Sequence, residues 1–150
     1  MVEDITKISI KNTDHSRLSS VDWDNLPFGK VFSDHMFTMN YANGQWENPE
    51  IVPYGNINMS PATSVLHYGQ SCFEGMKAHK NDNGEILLFR VNENIERLNI
   101  SAERMCMPEI PKELFVEALK TLLELDRDWV PSIDGYSLYI RPFIIATDPY

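Results

Sequence analysis

No apolar run in this sequence approaches the ~18 residues that mark a membrane-spanning helix. Positive charge is scarce as well: 13 Lys and Arg stand against 22 Asp and Glu, for a net charge of −9. Nucleic acids and anionic membrane surfaces both require a basic face, so neither is an expected partner. A small anionic ligand stays open, because it needs only a few donors in one place. Cysteine is limited to Cys72 and Cys106, with no CxxC spacing, which excludes a zinc ribbon and a disulfide framework. Both read as reduced, buried thiols. The four histidines, His15, His35, His67 and His79, show no metal-ligand spacing. There is no Gly-x-Ser-x-Gly elbow, no Walker-type loop and no strand-helix-strand repeat, so a Rossmann-like sheet is not expected. The opening Met1-Val2-Glu3-Asp4 is acidic, unlike a signal or transit peptide, and makes the cytoplasm the default address.

What is present is enough for one core: 150 residues, 43% of them hydrophobic and 11% aromatic. Residues 1–27 read as an irregular segment that packs on the rest through Trp23. Phe28 to Tyr41 alternates like a strand, and Asn43-Gly44 signals a type I′ turn into a return strand over Gln45 to Val52, interrupted at Pro49. Ser60-Pro61 reads as a helix start leading to Gly69. A second hairpin is expected from Met76 to Lys80 and Glu85 to Arg90, turning at Asn83-Gly84. Asn92 reads as the cap of a helix to about Met105, with Ile95, Leu98, Ala102 and Met105 on one stripe. Pro111 opens another helix with a broad apolar face over Leu114 to Leu125. Gly135 to Thr147 reads as one long strand in which Arg141-Pro142 marks an edge or bulge. Hairpin, hairpin, two helices, strand is an α+β order with a largely antiparallel sheet flanked by helices.

Several cations could carry chemistry. Arg97 borders its helix's apolar stripe. It reads either as a stem lying over the core with its head in solvent, or as a planar fork aimed at a phosphate or carboxylate. Arg90 and Arg104 raise the same question. Arg141 stands two residues after Tyr139 on one strand face, which is either an edge charge that deters aggregation or a pocket wall of phenol and guanidinium. Lys77 could form a Schiff base if buried, but nothing local favours that over a solvated strand lysine.

Four stretches, LHYGQSCFEGMKA, LFRVNENIERLNISAERMCMP, DRDWVP and GYSLYIRPFIIATDP, occur in one order and spacing. Together they closely resemble the branched-chain amino acid aminotransferases, fold type IV enzymes dependent on pyridoxal 5′-phosphate (PLP). The resemblance runs from about Phe28 to the last residue. It implies that Arg97 binds the cofactor phosphate and that Arg90 is structural. It also implies that Phe28, Tyr68, Phe73, Tyr139 and Arg141 line the substrate pocket, with aromatic walls for Leu, Ile or Val and Arg141 for the distal carboxylate of glutamate. The family is homodimeric, and its substrates are amino acids and 2-oxo acids. D-amino acid aminotransferase and aminodeoxychorismate lyase share the fold and are the alternatives within the enzyme class; a non-catalytic binding module is the alternative outside it. The family's lysine for the cofactor, and the acid that faces the pyridine nitrogen, belong to a larger second domain. None of the seven lysines here matches that position. Residues 28–150 are therefore expected to be the small N-terminal α+β domain, inactive alone and short of its last core strand.

Overall fold

The computed structural model describes residues 7–149, so the acidic start at Met1–Asp4 and the terminal Tyr150 lie outside the described residues. Strand β1 (Ser9–Ile10) runs parallel to β3 (Gln45–Pro53), which pairs antiparallel with β2 (His35–Ala42). A short helix α1 (Ser64–Tyr68) leads to β4 (Ser71–Phe73), β5 (Met76–Lys80) and β6 (Ile86–Leu88). Helices α2 (Val91–Arg104) and α3 (Lys112–Leu125) follow, then β7 (Leu138–Ile140) and β8 (Phe143–Ile145). The sheet orders are β1-β3-β2, β4-β8 and β6-β5-β7, antiparallel except for the β1–β3 pair. The α+β class with mostly antiparallel pairing is thus observed.

The Asn43-Gly44 turn forms as its chemistry requires, with both residues at positive φ. Its strands differ from expectation at both ends. Strand β2 starts at His35, because residues 27–30 close a turn in which the Lys30 N–H donates to the Pro27 carbonyl and Gly29 takes φ 73°. Pro49 does not interrupt β3. The register shifts between Thr38 and Asn40, and Asn48 takes φ 51°, so a bulge absorbs the proline. Helix α1 begins at Ser64, later than Ser60-Pro61 suggested. The Ser60 carbonyl closes a turn with the Thr63 N–H, and Thr63 is extended and fully buried. The second hairpin turns through residues 81–85, where the Asn81 carboxamide oxygen accepts the N–H groups of Asn83 and Glu85. Arg90 is not in a strand: in the left-handed region (φ 53°) it, and not Asn92, precedes the first residue of α2.

The interior has two clusters. Cys72, Ile95, Leu98, Ala102, Met107, Ile110 and Ile144 form one, against which Met39 and Trp46 bring the first hairpin. Met76, Ala78, Leu119, Leu123 and Val130 form the other, and Phe115 packs against both. The stripe Ile95–Leu98–Ala102 is fully buried, as its spacing predicts. Cys72 is buried in the first cluster, whereas Cys106 is exposed. Cys106 follows the last turn of α2 at φ 54°, which turns the chain out of the helix and takes its side chain away from the core.

Asn99 is a buried polar member of the α2 face. Its carboxamide donates to the Ile110 carbonyl and accepts from the Ile110 N–H, each at 2.9 Å. These bonds satisfy the backbone that links α2 to α3. Asn99→Ala leaves two buried groups unpaired and should cost about 1–3 kcal/mol, read as a lower urea midpoint at unchanged m.

The N-terminal segment is held by buried side chains that the sequence pattern did not single out. The Thr13 N–H donates to His35 Nε2 (3.0 Å), while Nδ1 of the same ring lies 2.6 Å from Asp126 Oδ1. Asp34 accepts from the Arg17 N–H (2.9 Å) and from the Trp129 indole (2.9 Å). Trp23, expected to anchor the segment, is half-buried, and the buried tryptophan at this junction is Trp129.

Candidate functional site

The predicted long strand from Gly135 to Thr147 is broken in two. Strand β7 pairs with β5 and β8 pairs with β4, in separate sheets. Pro142 has no N–H for a ladder, and its carbonyl accepts the Glu74 N–H at 2.9 Å. Two gaps therefore face each other: Glu74-Gly75 between β4 and β5, and Arg141-Pro142 between β7 and β8. Phe28, Phe73, Tyr139 and Arg141 gather around this gap.

Four of the five proposed pocket residues form one chain of contacts. The Arg141 guanidinium lies 4.4 Å over the Phe73 ring and donates to the Tyr139 hydroxyl from Nε (3.2 Å) and Nη2 (2.9 Å). Tyr139 meets Phe28 edge to face at 5.1 Å. Among the described residues Arg141 has no carboxylate partner. Phe28 reaches the cluster from the 27–30 turn and not from a strand. Tyr68 stands on α1, its ring tilted against His67 at 6.3 Å. Gly75 lies directly beneath the phenol: a Cβ there would fall 2.4 Å from the Tyr139 hydroxyl. Only glycine leaves that hydroxyl where Arg141 meets it.

Arg97 does not simply lie with its head in water. Its Nε donates to Glu74 Oε1, and its Nη2 donates to Oε2 at 2.7 Å. The Arg97 side chain is 68% exposed, but that of Glu74 is 4% exposed. Asn94 Nδ2 (3.1 Å) and the Gly75 N–H (3.2 Å) also donate to Glu74 Oε2. Hydrogen bonds from Arg97, working against burial and aided by Asn94 and Gly75, hold the Glu74 carboxyl below the usual carboxylate range. Glu74 was missed on the sequence, yet a signal existed. Cys72, Glu74, Met76 and Ala78 alternate, and all four are buried, so a carboxylate fell on the inward face and needed a partner.

Phe89, Arg90, Glu93, Asn94 and Arg97 line an open cavity of about 260 Å³. Arg90, which lines the same cavity, pairs with Glu93 at 3.1 Å across one helical turn. Lys77 is exposed on β5, as a solvated strand lysine. The donor type suits a phosphate: Glu74 occupies the Nε–Nη2 edge of the Arg97 guanidinium, which leaves Nη1 for another acceptor, and Arg97 is one of the residues lining the cavity.

No family model matches the chain. Branched-chain-amino-acid transaminase 1 of Bacillus subtilis is 54% identical over 129 residues, covering 85% of this chain and 36% of that protein. The chain is a relative of the branched-chain aminotransferases. The branched-chain-amino-acid aminotransferase of Dictyostelium discoideum is 44% identical over 144 residues, 95% of this chain and 38% of that one. The chain thus spans little more than a third of the length of these relatives. Among solved structures, the Escherichia coli branched-chain amino acid aminotransferase aligns at TM-score 0.53 and 27% identity, over 71% of this chain and 32% of its own. A second solved branched-chain amino acid aminotransferase, complexed with N-(5′-phosphopyridoxyl)-L-glutamate, aligns at 0.55 and 29%, over 76% of this chain and 33% of its own. The structural likeness extends the sequence match to the fold type IV aminotransferases.

Proposed function

We propose that this chain is the small domain of a PLP-dependent branched-chain amino acid aminotransferase, which moves the amino group of Leu, Ile or Val to 2-oxoglutarate. In this reading residues 28–150 form the domain, residues 1–27 pack on it, and the complete protein is a cytoplasmic homodimer. The observation that carries the reading is the Arg141 site, in a chain this similar to branched-chain transaminases. A guanidinium laid over Phe73 and bonded to Tyr139 leaves edge N–H groups for a carboxylate, while the rings around it offer apolar walls. One pocket for both leucine and glutamate needs that combination. Arg97 would hold the cofactor phosphate, and the cofactor, when bound, supplies the electron sink for the amino-group chemistry. The chain's own residues bind and orient. Among the described residues, no helix is long and apolar enough to cross a membrane.

The test is turnover by the full-length polypeptide with PLP, leucine and 2-oxoglutarate. Glutamate and the branched 2-oxo acid are the expected products, and the 150-residue segment alone should form neither. Turnover with D-alanine but not leucine, pyruvate release from aminodeoxychorismate, or no transamination by the full-length protein would each overturn the reading.

A further inference from the structure

We propose that Glu74 is a positioning residue that aims the Arg97 guanidinium at an anionic phosphate group and ties that site to the Arg141 cluster. The proposal rests on the reading of Arg97 as the phosphate ligand and adds a residue to it. Arg97 reaches out from α2 with most of its side chain in solvent, where a long arginine samples many rotamers. Glu74 removes that freedom. It is buried, it sits in a strand gap instead of on a flexible loop, and it grips the Nε–Nη2 edge with both oxygens. Among the described residues, Nη1 at the opposite end of the fork has no hydrogen-bond acceptor, so it is left for an anion.

Glu74 is itself held from three sides. Asn94, one turn before Arg97 on α2, and the Gly75 N–H both bond its Oε2. Its own N–H is fixed to the Pro142 carbonyl, next to Arg141. Gly75 follows at once and lies against the Tyr139 hydroxyl that accepts from Arg141. The Glu74-Gly75 dipeptide is therefore a common support: its side chain orients one arginine and its backbone seats the phenol that orients the other. A carboxylate buried only to stabilise the fold would not need its bidentate partner to be a largely exposed arginine on a cavity wall.

The experiment compares affinity for PLP with affinity for pyridoxal, which lacks the phosphate, by absorbance titration of the full-length apoprotein. Glu74→Gln keeps the shape and removes the charge that pins Arg97. If the binding-competent rotamer of Arg97 falls to about one part in ten, PLP binds about tenfold more weakly and pyridoxal within about twofold of wild type. The double variant Glu74→Gln/Arg97→Ala should be no worse than Arg97→Ala alone, because Glu74 acts through that arginine. Glu74→Asp, with the charge but a shorter reach, should fall between wild type and Glu74→Gln. It stands in if the glutamine variant folds poorly, since the ratio of two affinities on one preparation does not depend on the folded fraction. An equal loss for both ligands, no loss for PLP, or a loss that adds to that of Arg97→Ala overturns the proposal while leaving Arg97 as the phosphate ligand. If Arg97→Ala itself weakens PLP and pyridoxal equally, the reading of Arg97 fails and the proposal fails with it.

Discussion

Arg141→Met in the full-length protein should cost glutamate and 2-oxoglutarate roughly ten- to a hundredfold in kcat/KM, and cost leucine little. Methionine keeps much of the volume and deletes the charge. A hydrogen bond to a charged group contributes about 1.5–3 kcal/mol, and only substrates with a distal carboxylate would lose it. The geometry makes the contact available: the guanidinium is stacked and hydrogen-bonded but is not neutralised by any carboxylate among the described residues. Two rival roles predict something else. If Arg141 only buttresses Phe73 and Tyr139, or grips the α-carboxylate that all substrates share, leucine and glutamate lose alike. Single-turnover rates measured separately with each amino acid decide. Equal losses would reject the distal-carboxylate role even with the family relationship intact.

Arg97→Ala should weaken PLP binding roughly ten- to a hundredfold, again the about 1.5–3 kcal/mol of a charge-assisted contact, and leave pyridoxal nearly unaffected. Equilibrium dialysis with the two ligands is the measurement, and an unchanged PLP dissociation constant would reduce Arg97 to a partner for Glu74. The variant also leaves Glu74 buried without its cation. Asn94 and the Gly75 N–H still bond that carboxylate, so the stability loss should stay below the roughly 3–5 kcal/mol typical of a fully orphaned buried charge. Arg90→Ala should do less to cofactor affinity, because its guanidinium serves Glu93 and its backbone starts α2.

Much of this was legible in the residues. Periodicity located α2 and α3, and it named Ile95, Leu98 and Ala102 as buried. The Asn43-Gly44 dipeptide set the first hairpin through the positive φ that its turn demands. Arg141-Pro142 was marked as a break because proline cannot donate to a ladder. The quoted motifs carried the family relationship, which the 54% identity to a branched-chain transaminase then bore out. These features are local or written in one segment, so a sequence can display them.

What the sequence could not display is where separate segments meet. The alternation across Cys72, Glu74, Met76 and Ala78 put a carboxylate on an inward face, but only the packing of α2 against β4 supplied Arg97 as its partner. Likewise Tyr139 and Arg141 are neighbours on paper. That Phe28 arrives from a distant turn, that Phe73 slides under the guanidinium, and that Gly75 must lack a Cβ for the phenol to fit all depend on β4, β5, β7 and β8 breaking at one level. Composition and periodicity determined the elements and their buried faces, because those follow from each residue's cost of exposure. Tertiary structure alone decided which charges pair across the gap, because a buried carboxylate takes the donor that three-dimensional packing brings within about 3 Å and not the nearest one in the chain.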